Sequence, residues 1–230
     1  MSYIVVVTLN FSGSKVSAKH FSWQDGTSSE VRTSAAIELP STWVHLNSCA
    51  LLVKRKCYML GEAGYILMLD LASSSLFIIS LPYGVRQHQS MKNLELLRAD
   101  GSGFDLIHLK GSKIHVWHRD TDGDNEGEWK LVDTICARQA IGHLAKPNWE
   151  SILESGGPDV GVQRVGDNAE ILLVVGREVF YMQIKTRKVE KVFEIARHGD
   201  PFSAVRPFTM VWPPSFPTLS DEQVDRGQDE

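Results

Sequence analysis

Tyr65-Ile-Leu-Met-Leu-Asp-Leu71 is followed by Ala72-Ser-Ser-Ser75 and then by Leu76-Phe-Ile-Ile79. Two aliphatic runs separated by four small residues read as two strands and a tight turn. The layout returns 113 residues later as Glu178-Val-Phe-Tyr-Met-Gln-Ile184, Lys185-Thr-Arg-Lys188 and Val189-Glu-Lys-Val-Phe193. Between these copies, Ile114-His-Val-Trp-His118 and Trp129-Lys-Leu-Val132 repeat it around a longer loop. Val16 to Trp23 followed by Gln24-Asp-Gly-Thr27 is a fourth, weaker copy. Loops beginning near residues 24, 72, 119 and 185 give a mean spacing of about 54 residues, the length that a blade of four short strands occupies.

A blade also needs a hairpin ahead of each copy. Ile171 to Val175 turns at Gly176-Arg177 into Val179 to Ile184, with glycine supplying the positive φ of a type II′ turn. Phe104 to Leu109 turns at Gly111-Ser112 into Ile114 to His118. That two-residue turn sets Lys110 opposite Lys113, Leu109 opposite Ile114, His108 opposite His115 and Asp105 opposite His118. Helical patterning is confined to Ala137 to Leu144 and Trp149 to Glu154, inside one long connection. The expected fold is all-β: a β-propeller of four-stranded antiparallel blades, partial, with about four blades visible. Residues 1–212 form the propeller domain and residues 213–230 a short Pro-rich, acidic tail, read as disordered because it cannot bury enough apolar area to order itself.

The chain has 230 residues, 43% apolar and 23% charged, which suits a globular core. The net charge of -4 resides in the tail, where Asp221, Glu222, Asp225, Asp229 and Glu230 face only Arg226. The body is neutral and lacks the basic excess on which nucleic-acid backbone binding relies. No run of eighteen apolar residues exists, so no membrane partner is expected. Met1-Ser2-Tyr3 leading into Ile4 to Val7 has neither the positive n-region nor the cleavage site of a signal peptide. Cys49, Cys57 and Cys136 are odd in number and show no C-x-x-C spacing, which suits buried, reduced thiols in the cytoplasm or nucleus.

Several clusters invite a chemical reading. Asp120-Thr-Asp122-Gly-Asp124-Asn-Glu126-Gly127-Glu128 resembles a calcium loop in its alternating carboxylates, yet its best register puts Asp133 rather than glutamate at the twelfth position. Its flanks read as strands where an EF-hand needs helices, so a solvated hairpin loop is expected. His108 and His115, opposed across the hairpin, are close enough to chelate zinc, but no third ligand follows at useful spacing. Lys54-Arg-Lys56 and Lys185-Thr-Arg-Lys188 with Lys191 are the basic clusters, the latter in a turn and read as a solvated face. Trp117 and Trp129 are expected in core or inter-blade packing, Trp23 and Trp212 at strand ends. There is no G-x-S-x-G and no phosphate loop. Ser22-Trp-Gln-Asp25-Gly-Thr27 misses the spacing of the sialidase box. No catalytic, cofactor-binding or metal-ligating residue is assigned, and no cofactor is expected.

Cys57-Tyr-Met-Leu60, Tyr65-Ile-Leu-Met-Leu-Asp-Leu71 and Ile78-Ile-Ser-Leu-Pro82 together are similar to the LYWL, ILxYDL and xxIxLP signature of the F-box-associated β-propeller domains expanded in plants, particularly grasses. Ile114-His-Val-Trp117 with Trp129-Lys-Leu131 resembles that family's LxLWxR and WxL blade. Val179-Phe-Tyr-Met-Gln-Ile184-Lys-Thr with Lys188-Val189 resembles its VFxIDLKTGKV blade, and Phe208-Thr-Met-Val-Trp-Pro213 its closing motif. Ile4 to Thr8 with Phe21-Ser-Trp23 resembles an earlier blade. The likeness spans roughly residues 3 to 213 in consistent order.

The resemblance implies the substrate-receptor half of an SCF ubiquitin ligase subunit, a non-enzymatic module that binds a protein client through propeller loops. Met1 stands almost directly on a strand, and Leu39-Pro40-Ser41 is not followed by the L-x-x-I-L spacing of an F-box helix. Docking on the ligase adaptor is therefore not expected. Pro82 to Leu94 and Arg138 to Pro158 are the expected contact regions. Ring closure would bring Ile4 to Leu9 near Phe208 to Trp212, and missing blades would leave an edge that promotes self-association. Two other readings are a propeller hydrolase or lyase with a central-channel site and a truncated, non-functional paralogue. Convergent charged side chains at the channel favour the enzyme, apolar or small ones the scaffold.

Overall fold

The repeated layout folds as repeated sheets. The computed structural model describes residues 3–24, 27–28, 30–40, 50–61, 64–85, 91–121, 127–155, 160–165 and 169–195. Three antiparallel sheets have four strands each, hydrogen-bonded in chain order. One contains β6 (Leu51–Val53), β7 (Lys56–Gly61), β8 (Tyr65–Asp70) and β9 (Ser75–Ser80). The next contains β10 (Leu94–Arg98), β11 (Phe104–Lys110), β12 (Lys113–Arg119) and β13 (Lys130–Cys136). The last contains β14 (Val160–Arg164), β15 (Glu170–Val175), β16 (Glu178–Gln183) and β17 (Val189–Glu194). Two short helices, α1 (Ala137–Ile141) and α2 (Trp149–Ser155), occupy the connection from β13 to β14, as their periodicity predicts.

The first sheet differs. β1 (Tyr3–Ser12) pairs with β2 (Lys15–Gln24) over ten rungs, and the other edge of β2 is covered by three two-residue pieces, β3 (Thr27–Ser28), β4 (Arg32–Thr33) and β5 (Ile37–Glu38). The weak copy at Val16 to Trp23 is thus a blade whose next strand is broken. Residues 30–40 are mostly exposed, with only Ser34 and Leu39 buried, so few side chains hold a continuous strand there. Ser34 bridges the gap between β4 and β5: its N–H donates to the Ala18 carbonyl at 2.8 Å, and its Oγ accepts from Ala18 N–H at 2.8 Å.

The β6–β9 and β10–β13 sheets are apolar on both faces because each is sandwiched between two others. In the β10–β13 sheet, Leu94, Leu96, Phe104 and Leu106 pack with Leu51, Tyr58, Leu60 and Ile66 of the sheet before it. Leu97, Ile107, Leu109, Ile114 and Val116 pack instead with Ile171, Leu173, Phe180 and Met182 of the sheet after it. The opposite face of the β6–β9 sheet, through Cys57, Met59, Leu67 and Leu69, covers Val16, Ala18 and Leu39 of the first sheet. β10 touches both β6 and β14, so the first strands lie side by side around an axis and the last strands lie outermost. This is the radial stacking of a propeller.

The two strongest copies agree residue by residue. β7 and β15 each begin with a half-buried residue and continue with five buried ones, and β8 and β16 share one burial pattern, with Met68 and Tyr181 half-buried at the fourth position. Their turns agree too. The fourth residue past each strand takes a left-handed φ, +57° at Ser74 and +58° at Arg187. Asp70 Oδ1 accepts from Ala72 N–H at 2.7 Å and from Ser73 N–H at 3.2 Å, closing the first of these turns.

The outer strands β13 and β17 each carry a bulge, which makes Val132 and Val192 the unpaired residues, 57% and 50% exposed. A bulge twists an edge away from further pairing. β9 keeps an unbroken register with β8.

Gly103 is a position where backbone freedom is indispensable. Its φ is +120°, and a Cβ there would stand 2.3 Å from the Arg119 carbonyl oxygen. Gly13, at φ +61°, has open space around it. Gly103→Ala is expected to cost about 3 kcal/mol or more, and Gly13→Ala only about 1 kcal/mol. Thermal denaturation of the two variants checks the ranking.

Candidate functional site

The axis is where a propeller enzyme assembles its groups, and of the inner strands β6, β10 and β14 the last two do place charge there. Glu95 is 3% exposed. Its carboxylate accepts from Leu96 N–H at 3.1 Å and from Arg164 N–H at 3.3 Å. Burial pushes this carboxyl up from its ordinary range, and the Arg164 charge pulls it back. The Arg164 guanidinium donates to the Leu96 carbonyl at 3.4 Å and to the Ala50 carbonyl at 2.9 Å, linking three successive sheets. Arg98 donates to the Leu52 carbonyl at 2.7 Å. These side chains are bound to main chain and act as staples between blades. A charged residue inside the apolar run Leu94-Glu-Leu-Leu97 was the one sequence signal for this hub; Arg164 carried none.

The two ends of the sheets differ in character. Because each blade is an up-and-down meander, the long connections leave from one end. Ala137 N–H donates to the Ser112 carbonyl at 2.9 Å, which places the exit from β13 beside the β11–β12 turn. α2 lies over the β15–β16 turn: a Cβ on Gly176 would stand 3.2 Å from Ile152 Cδ1. At this same end Pro82 to Val85 forms a type II turn, with Val85 N–H donating to the Pro82 carbonyl at 3.0 Å and Gly84 at φ +81°. Pro82 and Val85 are buried, whereas Tyr83 between them is fully exposed. Both expected contact regions, as far as they are described, therefore open at the end that carries the helices.

The predicted hairpin register holds at every rung: Lys110 faces Lys113, Leu109 faces Ile114, His108 faces His115 and Asp105 faces His118. The rings of His108 and His115 lie 5.9 Å apart, centroid to centroid. His115 Nδ1 is 3.1 Å from Thr134 Oγ1. Burial holds His108 down to about 4, and the neighbouring His115 and Lys110 charges add to the effect. Burial and the same lysines lower His115. Among the described residues no three His, Cys, Asp or Glu side chains converge. On the other face His118 Nδ1 is 2.8 Å from Asp105 Oδ1. Burial raises the Asp105 carboxyl and the His118 contact opposes it.

The basic cluster of the β16–β17 turn is neutralised. Lys185 pairs with Asp100, Arg187 with Asp133 at 3.0 Å, Lys188 with Glu190 at 2.9 Å and Lys191 with Glu178. Lys54 and Arg55 form the β6–β7 turn, both with positive φ. Residues 122–126 of the acidic loop lie outside the described residues, but Asp133 sits in β13 and is engaged by Arg187. Trp129 stands just before β13 and bridges blades, donating to the Ser80 carbonyl at 2.8 Å and packing edge-on to Phe104 at 5.5 Å. Trp117 is half-buried in the same inter-sheet cluster. The Trp23 side chain, Cys49, residues 208–212 and the tail lie outside the described residues. Cys57 is free, and burial raises its thiol to about 11; Cys136 is free and half-buried.

Two clefts of about 300 Å³ are present. One, between the third and fourth sheets at the end away from the helices, is lined by Arg98, Asp100, Glu170, Gln183 and Lys185. The other lies between α1 and β17 and is lined by Cys136, Gln139, His143 and Arg187. Among the described residues no helix is long and apolar enough to cross a membrane.

Arg164→Met removes the three-sheet staple and is expected to cost about 2 to 4 kcal/mol, read by chemical denaturation. His108 gives a pH signature. Its folded value of about 4 lies below the ordinary 6.5, so the unfolded chain binds a proton that the folded chain refuses. Stability is whole above pH 6.5 and falls as pH drops toward 4. The raised carboxyls of Glu95 and Asp105 act in the opposite sense but cancel when wild type is compared with His108→Leu. Between pH 7 and pH 5, wild type is expected to lose roughly 2 to 6 °C more in Tm than the variant. A histidine resonance titrating near 4 in NMR identifies the residue.

No curated protein matches the chain. Among solved structures, a functionally unknown protein from Desulfotomaculum acetoxidans is 9% identical, covers 84% of this chain and 57% of its own, with a TM-score of 0.42. BamB from Moraxella catarrhalis is 16% identical over 77% of this chain and 48% of its own, with a TM-score of 0.35. The N-terminal domain of Nup159 is 15% identical over 80% and 46%, with a TM-score of 0.37. The chain spans between 24% and 57% of the lengths of five solved structures that it matches, these three among them. A family model described as the β-propeller of F-box protein AT5G49610-like matches residues 1–216. Radial sheets, repeated turns and this match across the blades make the chain a member of the F-box protein AT5G49610-like β-propeller family.

Proposed function

We propose that this chain is a non-enzymatic protein-recognition module, the client-binding half of an F-box-type receptor of an SCF ubiquitin ligase. One observation carries the reading: the charged side chains of the inner strands, Glu95, Arg98 and Arg164, are spent on backbone N–H and C=O groups, all but the Leu96 N–H bonded by Glu95 in another blade or its flank. An active site needs acids, bases or nucleophiles free to meet a substrate. A hub of this kind holds blades in position and leaves recognition to the connections they display.

The end bearing the long connections suits that task. Tyr83 is an exposed aromatic on a turn whose flanking residues are buried, so little ordering entropy is lost when a partner covers it. Client binding is assigned to this end. Adaptor docking is not expected of this stretch of chain, whose described helices, α1 and α2, are packed on its own sheets. An intracellular location, cytoplasmic or nuclear, follows from the receptor role.

Affinity purification from the source tissue with mass spectrometry tests the assignment. Client proteins are expected to be recovered reproducibly with the chain and reduced at least about fivefold with Tyr83→Ala. Clients that persist undiminished with the variant overturn the assigned end. Recovery of the ligase adaptor with this chain overturns the view that adaptor docking lies elsewhere.

A further inference from the structure

The β11–β12 hairpin holds two lysines and two histidines on one face, in two rungs separated by the Leu109–Ile114 pair. Lys110 and Lys113 are directly opposed, as are His108 and His115. Like charges directly opposed across strands are destabilising. By contrast, Lys146 is given Glu194, and the cations of the β16–β17 turn are given acids. Neither Lys110 nor Lys113 has an ion-pair partner among the described residues, and both are exposed. The neighbouring 3-10 turn, Met91–Asn93, which touches β11, contributes Lys92 rather than an acid. In β13, Thr134 faces His115 and Cys136 faces Lys113, so no carboxylate enters from that side either.

The rung geometry is rigid. Gly111 takes a φ of +53°, and the Ser112 carbonyl is tied to Ala137 N–H at 2.9 Å. We propose that this hairpin rim is a recognition site for an acidic, carboxylate-bearing segment of a client protein. This rests on the receptor reading above and names the chemistry of the client. A carboxylate lying between Lys110 and Lys113 relieves their mutual repulsion, and the half-buried imidazole of His115, two residues along the same face, supplies a further donor. A protein segment fits better than nucleic acid, because the body of the chain carries no net positive charge to hold a long polyanion. The rim lies at the same end as Tyr83, so one client can meet both.

The test uses the full chain and a fluorescein-labelled poly-glutamate peptide, with fluorescence anisotropy at physiological ionic strength. Lys113→Glu is expected to weaken binding about tenfold, and Lys113→Gln by a smaller factor. Lys19→Glu, an equal charge change at an exposed position on the middle strand of the first sheet, is expected to change it by less than about twofold. Circular dichroism confirms that each variant is folded. Equal losses in Lys113→Glu and Lys19→Glu, or equal affinity for a single-stranded DNA oligomer that Lys113→Glu leaves intact, overturn the site. So does failure of the peptide to bind. Binding that appears only after Asp221→Asn, Glu222→Gln and Asp225→Asn are introduced together names the chain's own tail as occupant and overturns the client assignment. Peptide binding that persists while no client is recovered from tissue fails the receptor reading alone.

Discussion

Everything in this structure depends on sheets that are apolar on both faces and must therefore be stacked in series. Tyr58 and Phe104, ring centroids 4.4 Å apart, show the contact in miniature: an aromatic from one sheet meets an aromatic from the next. A strand such as β15, with five of six residues buried, has no solvent face to present. A single sheet of this composition cannot exist alone in water, since each face leaves apolar area exposed until another sheet covers it. Radial order then follows, because the short inner strands β6, β10 and β14 can approach an axis more closely than the longer outer ones.

Stacking leaves polar groups with few places to go. At the axis the peptide groups of the inner strands have no further strand to pair with, and buried ones must still be satisfied. Arg164 and Arg98 answer this with long side chains that reach carbonyls one and two sheets away. Glu95 answers it with a carboxylate that accepts two N–H groups. Burying such a carboxylate is costly without compensation, and here the compensation is two backbone donors and a nearby guanidinium. The same residues that a search for catalysis singles out at a channel are thereby the ones least free to act on a substrate.

How much of this was legible in the sequence depends on the range over which each feature is decided. The β11–β12 register was readable in full, because a two-residue turn containing Gly111 permits one pairing and every partner follows from it. The β8 and β16 copies were readable because identical burial demands similar residues at each position. The bulges at Val132 and Val192 were not, since neither Lys130-Leu-Val-Asp133 nor Lys191-Val-Phe-Glu194 holds a glycine or other residue that marks which position is left unpaired. The broken strand opposite β2 was half-visible: polarity announces irregularity, yet Ser34 as the bridging residue depends on Ala18, sixteen residues away. The bond from Arg164 to Ala50 joins residues 114 apart and is invisible to any local pattern. Tyr83 looked like one aromatic among many, and only the burial of Pro82 and Val85 on either side reveals that it is held outward.

The distribution of charge follows from the same geometry and bears on recognition. Faces are closed by packing and the axis by staples, so variation is cheap only at the sheet ends, where turns and connections are solvated. There, an ion pair between exposed groups contributes little stability, and leaving two lysines unpaired costs correspondingly little. The β16–β17 turn, with its pairs to Asp100, Asp133 and Glu190, and the β11–β12 hairpin, with Lys110 facing Lys113, are thus nearly equivalent for folding and quite different for binding. A neutralised turn presents no field to an approaching partner, whereas an unpaired basic rung on an otherwise neutral body presents a local one. Such a local field fixes register and selects against the wrong charge without drawing in every polyanion. On the proposed reading the blades supply rigidity and the Lys110–Lys113 rung supplies the discrimination.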